Sequence, residues 1–252
     1  VFRQALAQKK DRIRELVSSG CQTNEVGRSA ALLGGFLEVA HRTGMELRIL
    51  ELGASAGLNM WWDHYRYESP RGDWGDSTSP VRFTHTFDVP PPLNRSATVV
   101  VRKGCDLKPI DPTTEEGALT LRSFVWADQL ARLTLLDGAI QVAAEEPVVV
   151  ENINAADFVE RELSRPREGI ATVVYHSVFM QYVDETSRER VIDAIERARN
   201  TAPRSAPVHH LFLEPGKETF EVRLDGKLLG TSGAHGNHVR WLVSSSAEWP
   251  GS

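Results

Sequence analysis

Cysteine is scarce in this chain. Only Cys21 and Cys105 occur in 252 residues, far apart and in no zinc or redox spacing, so neither a disulfide framework nor a cysteine metal site organises the fold. Both thiols read as ordinary buried groups, and a reducing cytoplasm suits them. Long apolar runs are also missing: nothing approaches the roughly 20 residues of a membrane span, and the opening VFRQALAQKK lacks the apolar centre of a signal peptide. Nor is there a basic excess. Thirty-four carboxylates stand against 29 Lys and Arg, a formal net charge of −5, which offers a nucleic-acid backbone or an anionic membrane no complementary surface. The expectation is a soluble, cytoplasmic protein with a small-molecule substrate and no nucleic-acid or membrane partner. The oligomeric state stays open, and a start at Val1 suggests that a segment precedes it.

Familiar catalytic signatures are absent as well. There is no GxSxG elbow, no Walker loop and no recognisable carboxylate pair, so hydrolase and kinase chemistry have no foothold. His235 and His238 lie three apart and His209 and His210 are adjacent, but without a converging third ligand, HxxxH or a cysteine pair no metal is expected. The chain has no internal repeat and no low-complexity tract.

What is present is length enough for one large domain with a substantial core and a regular alternation of patterns. Residues 2–17 carry apolar side chains at helical spacing among charges, as a surface helix does. Thr23 or Asn24 can cap a second helix, with Glu25 in its first turn, a small and apolar run from Ala30 to Ala40, and an end near Gly44. Residues 1–45 thus form an N-terminal helical cap. LRILELG is an almost continuous apolar strand, the pattern of a parallel strand covered on both faces.

Residues 61–97, with paired tryptophans and a PPP run, read as an insertion between the first two core strands, including a hairpin around VRFTHTF. ATVVVRKGCD is the second strand. Helical stretches over about 115–129 and 130–145 follow. Then PVVVENI, AADFVEREL, ATVVYHSVF, ETSRERVIDAIERARNT and VHHLFLEP alternate strand and helix. Such alternation predicts a Rossmann-like, doubly wound, mostly parallel α/β sheet in one domain. FEVRLDGKLLG and HVRWLVS, with no helix between them, predict a C-terminal antiparallel hairpin.

In such a sheet, ligands settle beyond the carboxyl ends of the strands, where strand order reverses. LRILELGASAGLN has the form this requires. Glu51, Gly53, Ser55 and Gly57 give ExGxSxG, in which missing side chains let the chain turn sharply and expose its amides. The dinucleotide fingerprint GxGxxG fails here, because Ser55 and Leu58 fall where its second and third glycines belong.

ELGASAGLN resembles motif I of the class I S-adenosylmethionine-dependent methyltransferases, D/ExGxGxG, with Ser55 replacing one glycine. The resemblance implies S-adenosylmethionine as cofactor. Glu51 would steady the loop or approach the methionine amine, Gly53, Ala54, Ser55, Gly57 and Asn59 would form or flank the loop beneath it, and Asp106 of RKGCDLKPID would meet the ribose hydroxyls. Asn154 and Asp157 of ENINAADF would flank adenine, and VVYHSVFMQYV would face cofactor and substrate. The terminal hairpin is similar to the reversed seventh strand of that fold. Over nearly its whole length the chain more closely resembles a bacterial family of unknown function, DUF2332, through QTNEVGRSAALL, LELGASAGLN, GCDLKPIDP, LRSFVWADQ, the HS of VVYHSVFMQY, and HGNHVRW. Members are described as methyltransferase-like. The resemblance supplies no substrate.

Each residue also has a plainer reading. Asp106 is the ribose ligand, an acid in the turn before Pro109, or a cap at a helix start. Glu25 and Arg28 either pair along the helix or reach into the pocket to hold an amine and a carboxylate. His176 and Ser177 either hold substrate and supply a general base or are merely hydrogen-bonded at a strand end. Gln181 and Tyr182 are pocket lining or packing. Trp61, Trp62, Tyr65 and Tyr67 are either an aromatic wall or the insertion's own core. TSGAHGNH reads as a flexible loop at the pocket rim. The predicted activity is methyl transfer to a small molecule. The alternatives are a diverged relative binding a nucleoside-type ligand or a partner protein, and a non-methylating enzyme on the same scaffold.

Overall fold

The computed structural model describes residues 24–243 continuously, together with residues 4, 7–11 and 14. Most of the predicted helix over 2–17, Cys21, Thr23 and the last residue of HVRWLVS lie outside the described residues.

Helix α1 (Arg28–Thr43) is buried from Arg28 to Ala40. Its composition explains this, since Gly34 and Gly35 let neighbours come closer than any Cβ would allow: one added at Gly34 would lie 2.3 Å from the Trp241 ring, and one at Gly35 2.2 Å from Leu211. The helix ends at Gly44, whose left-handed backbone (φ 64°) closes a bond to Ala40 O. Its start differs from the sequence expectation. Asn24 and Glu25 precede the helix, separated from it by a turn at Val26 and Gly27, and the Asn24 amide is committed elsewhere, to Glu51 and to Ala54 O. What was expected as part of a cap is, for α1, a layer packed on the sheet.

Strand β1 (Glu46–Leu52) lies third from one edge of a nine-stranded sheet, between two parallel neighbours. The other strands are β5 (Phe87–Val89), β6 (Val99–Asp106), β7 (Val150–Asn152), β8 (Ile170–Ser177), β9 (Val208–Pro215), β10 (Phe220–Leu224), β11 (Lys227–Ser232) and β12 (Val239–Trp241). Their order is β5-β12-β11-β10-β9-β8-β1-β6-β7. Parallel pairing runs unbroken from β9 through β8, β1 and β6 to β7. Between these strands lie α2 (Glu115–Ser123), α3 (Leu130–Glu145), α4 (Ala155–Leu163) and α5 (Glu185–Thr201). One core, containing Ile49, Val173 and Tyr175, packs against α1, α3 and the insertion; the other, containing Leu50, Leu52 and Val174, packs against α4 and α5. This is a mixed α/β architecture with a large, mostly parallel sheet layered on both faces, consistent with a Rossmann-like fold.

Two predicted details are corrected. VRFTHTF is not a hairpin: β4 (Arg82–Phe83) joins β2 (Arg66–Ser69) and β3 (Gly72–Trp74) in a small separate sheet, while Phe87 and Val89 continue to the far edge of the main sheet beside β12. Phe83 is held by aromatic packing against Tyr67, centroids 4.9 Å apart, and this pulls the two halves of the segment apart. FEVRLDGKLLG is itself a hairpin. Asp225 and Gly226 turn with φ 53° and 82°, the left-handed pair of a tight two-residue turn. Among the described residues the chain from β9 onward is therefore an antiparallel meander of four strands, not one reversed hairpin closing a parallel sheet.

The insertion's aromatics make a core. Trp62 stacks on Phe36 at 4.4 Å, and Tyr65 and Tyr67, both fully buried, donate to Leu58 O and Trp62 O. Of their two readings, packing is what these residues do.

Candidate functional site

A cavity of about 540 Å³ opens beyond the carboxyl ends of β1, β6, β7 and β8. Its walls come from the loop after β1 (Gly53, Ser55), the turn after β6 (Asp106, Lys108), the start of α4 (Asn154), the corner after β8 (Ser177, Val178, Phe179), the start of α5 (Asp184, Ser187), and Asn24 and Arg28. A doubly wound sheet places its crevice here, and the size suits a cofactor-sized ligand.

The loop after β1 alternates left-handed residues: Gly53 (φ 67°), Ser55 (φ 54°) and Gly57 (φ 72°). A Cβ on Gly53 would lie 2.3 Å from the Phe179 ring, so a bare backbone is required by a close approach across the cleft. Ser55 takes the left-handed conformation without being glycine, at a cost in backbone strain. Its N–H donates to Asp106 Oδ2 (2.9 Å), its carbonyl accepts from Ile110 N, and its buried Oγ has no hydrogen-bond partner. Ala54 N donates to Cys105 O. Burial pushes the Cys105 thiol up to about 12, so it stays protonated. Asp106 also accepts from Lys108 N at 2.8 Å. It braces two segments of the cleft while facing the cavity, so the turn role and the ligand-facing position coexist.

Beneath the loop lies a buried polar network centred on Asn24. Its amide donates to Glu51 Oε1 (2.9 Å) and Ala54 O (3.1 Å), and its oxygen accepts from Asn59 Nδ2 (2.7 Å) and Ser177 Oγ (3.3 Å). Ser29 in turn donates to Asn59. Glu51 is 1% exposed. Burial above all, with the nearby Asp106 charge adding to it, pushes its carboxyl up to about 8, against the opposing hydrogen bonds. It stands behind the cleft wall, as does Asn59.

At the end of β8, Ser177 lines the cleft but His176 does not. His176 is buried behind the wall, with Nδ1 2.7 Å from Glu214 Oε1, Nε2 3.0 Å from His210 Nε2, and its ring stacked on Phe212. Desolvation, reinforced by His176, takes the His210 imidazole down to about 3, so it is neutral at physiological pH. His176 Nδ1–H goes to the Glu214 carboxylate, and its other ring nitrogen meets His210 Nε2.

Glu25 and Arg28 separate. Glu25 pairs with Arg132 of α3, with His235 at 3.6 Å. Arg28 faces the cavity and donates to Ser177 O and Ala234 O, both at 3.1 Å. The glycine-rich loop is docked on this turn, since a Cβ on Gly27 would lie 2.1 Å from His235 O and one on Gly236 2.0 Å from Gly27 O. Asn154 caps α4 by accepting from Asp157 N, and Asp157 turns to Arg190 of α5, outside the cleft.

The family profile described as "Uncharacterized protein conserved in bacteria (DUF2332)" matches residues 1–242. The chain belongs to the DUF2332 family. No curated protein and no solved structure matches it.

In this DUF2332 chain the fold gathers Gly53, Ser55, Asp106, Asn154, Ser177 and Arg28 around one cavity, and leaves Glu51, Asn59 and His176 as supports behind it. Gly57, Ala54, Glu25 and Asp157 do not line it. Among the described residues no group of three or more His, Cys, Asp or Glu could hold a metal ion, and no helix is long and apolar enough to cross a membrane. The sequence reading had Val178 and Phe179 only as part of the segment VVYHSVFMQYV; both line the cavity, as does Tyr182. It missed Glu214. For Glu214 a signal existed: like Glu51 and Asp106, it is an acid at the carboxyl end of an apolar parallel strand.

Proposed function

We propose that the cleft binds S-adenosylmethionine and that the protein transfers its methyl group to a small molecule. The observation that carries this reading is the left-handed backbone of Gly53 and Ser55 at the tip of β1, facing an open cavity beside Asp106. A pyrophosphate-bearing dinucleotide fits less well. It needs an α-helix N-terminus after this loop, and residues Leu58–His64 form a kinked 3-10 helix instead. An adenosine ligand without phosphates needs a bare loop, an acid for its ribose and polar atoms for its base, which Gly53, Asp106 and Asn154 would supply. Bound S-adenosylmethionine brings a sulfonium that is already an activated methyl donor. The chain's own task is to orient an acceptor and exclude water. Arg28, anchored by two carbonyls, presents a cation suited to a carboxylate, and Glu51 steadies the loop through Asn24.

Isothermal titration with S-adenosylmethionine and S-adenosylhomocysteine tests the reading. Micromolar affinity for both, reduced about tenfold or more by Asp106→Ala, is expected; binding of neither would refute it. A second reading, nucleoside binding without methyl transfer, is favoured by one placement: His176 stands behind the wall, so among the described residues no imidazole reaches the cavity. Binding of S-adenosylhomocysteine without turnover across an acceptor panel would select it.

A further inference from the structure

Five described non-glycine residues have left-handed backbones: Ser55, His85, Val178, Asp225 and His238. Asp225 occupies a tight turn that favours it. Val178 is different, because a β-branched side chain at φ 51° is a genuine outlier, and it lies on the cavity wall. Such a conformation persists only when its surroundings over-determine it.

The surroundings are specific. Val178 N donates to Leu213 O at 2.7 Å. A single oxygen, Glu214 Oε1, accepts from Phe179 N (2.8 Å), Met180 N (3.1 Å) and His176 Nδ1 (2.7 Å). His210 and Phe212 back the His176 ring. On the other side Arg28 holds Ser177 O. The corner ends with the Phe179 ring against Gly53, at the place a Cβ would need. Glu214 therefore fastens the wall opposite the loop without lining the cavity.

We propose that Glu214 is a positioning residue for the ligand of this cleft, holding the strained Val178–Met180 corner so that Phe179 and Ser177 are fixed before the ligand arrives. This rests on the adenosine-ligand reading above. Preorganisation of this kind moves the ordering cost of the wall from binding to folding.

The test measures S-adenosylhomocysteine affinity, thermal midpoint and amide hydrogen exchange in wild type, Glu214→Gln, Glu214→Ala and Val178→Gly. Gln keeps an oxygen for all three donors, so Glu214→Gln is expected to bind within about threefold of wild type, while Glu214→Ala binds about tenfold or more weakly, with faster exchange at Phe179 and Met180. Val178→Gly relieves the strain with the Glu214 contacts in place, so its midpoint should not fall and exchange at Phe179 and Met180 should stay near wild type. Weaker binding and faster exchange in Glu214→Ala, restored in Glu214→Gln at an unchanged midpoint, is a pattern a merely structural role would not produce. Wild-type affinity in Glu214→Ala would overturn the proposal, as would unchanged exchange at the two amides. Should Glu214→Ala fail to fold, Glu214→Asp, whose shorter side chain withdraws the oxygen from the three donors, takes its place. A wild type that binds no ligand refutes the reading of the cleft instead, and the exchange comparison then judges the strut alone.

Discussion

Glu51 offers the sharpest perturbation, because its replacement by glutamine preserves shape and removes only the proton equilibrium. Its carboxyl is 1% exposed and accepts from Asn24, and burial pushes it up to about 8 from 4.5. Between those pH values the folded chain keeps a proton that the unfolded chain has released. Stability from this group is fully present below 4.5 and is lost as pH rises towards 8, by up to about 1.4 kcal/mol per pH unit and about 5 kcal/mol in total. Other groups titrate too, including His210, but they cancel in the difference between wild type and Glu51→Gln. Urea denaturation at pH 5, 6, 7 and 7.5 should show Glu51→Gln gaining on wild type by about 3 kcal/mol across that range. Parallel curves would refute the argument, since they would mean that Glu51 is ionised in the folded protein.

Two further outcomes follow from contacts on either face of β1. Gly53→Ala adds a Cβ at φ 67° and against the Phe179 ring, for an expected loss of about 2 kcal/mol; in a double-mutant cycle Phe179→Ala should recover the steric part and leave the backbone part, and strict additivity would refute the contact. On β1, Arg48 is 2% exposed and pairs with Glu162 of α4, which Lys103 also reaches. Glu162→Ala should therefore cost about 3 kcal/mol in chemical denaturation by leaving a buried guanidinium without its carboxylate, and a loss below about 1 kcal/mol would show that Arg48 reaches water.

The parallel half of the sheet was legible because β1 and β8 are buried on both faces and α4 and α5 carry their own caps. ETSRERVIDAIERARNT and VHHLFLEP coincide with α5 and β9 to the residue, since Asp184 caps the first by accepting from Ser187 N and Pro207 bounds the second. The meander was half legible. An Asp-Gly dipeptide between two apolar runs is a strong short-range hairpin signal, and reading through Asp225–Gly226 merged two strands into one. The insertion was least legible. Whether Phe83 and Phe87 pair with each other or with distant partners depends on aromatic contacts to Tyr67 and on the β12 edge, which no local pattern encodes.

For the site, the distinction that mattered was between residues that face the cavity and residues that hold them there, and periodicity is blind to it. His176 and Ser177 are neighbours on a strand, so their side chains take opposite faces. One lines the cavity while the other is sealed among Glu214, His210 and Phe212. Sequence placed both at the strand end and could not say which turned inward. Asn24 shows the converse. It read as a helix cap, a local role, yet its four hydrogen bonds reach residues 27 to 153 positions away. A side chain so connected ties α1, the β1 loop and the β8 corner into one wall. Any ligand that displaces Asn24 from Glu51 must therefore disturb all three, which makes the wall, more than any single lining residue, what a ligand of this cleft has to match.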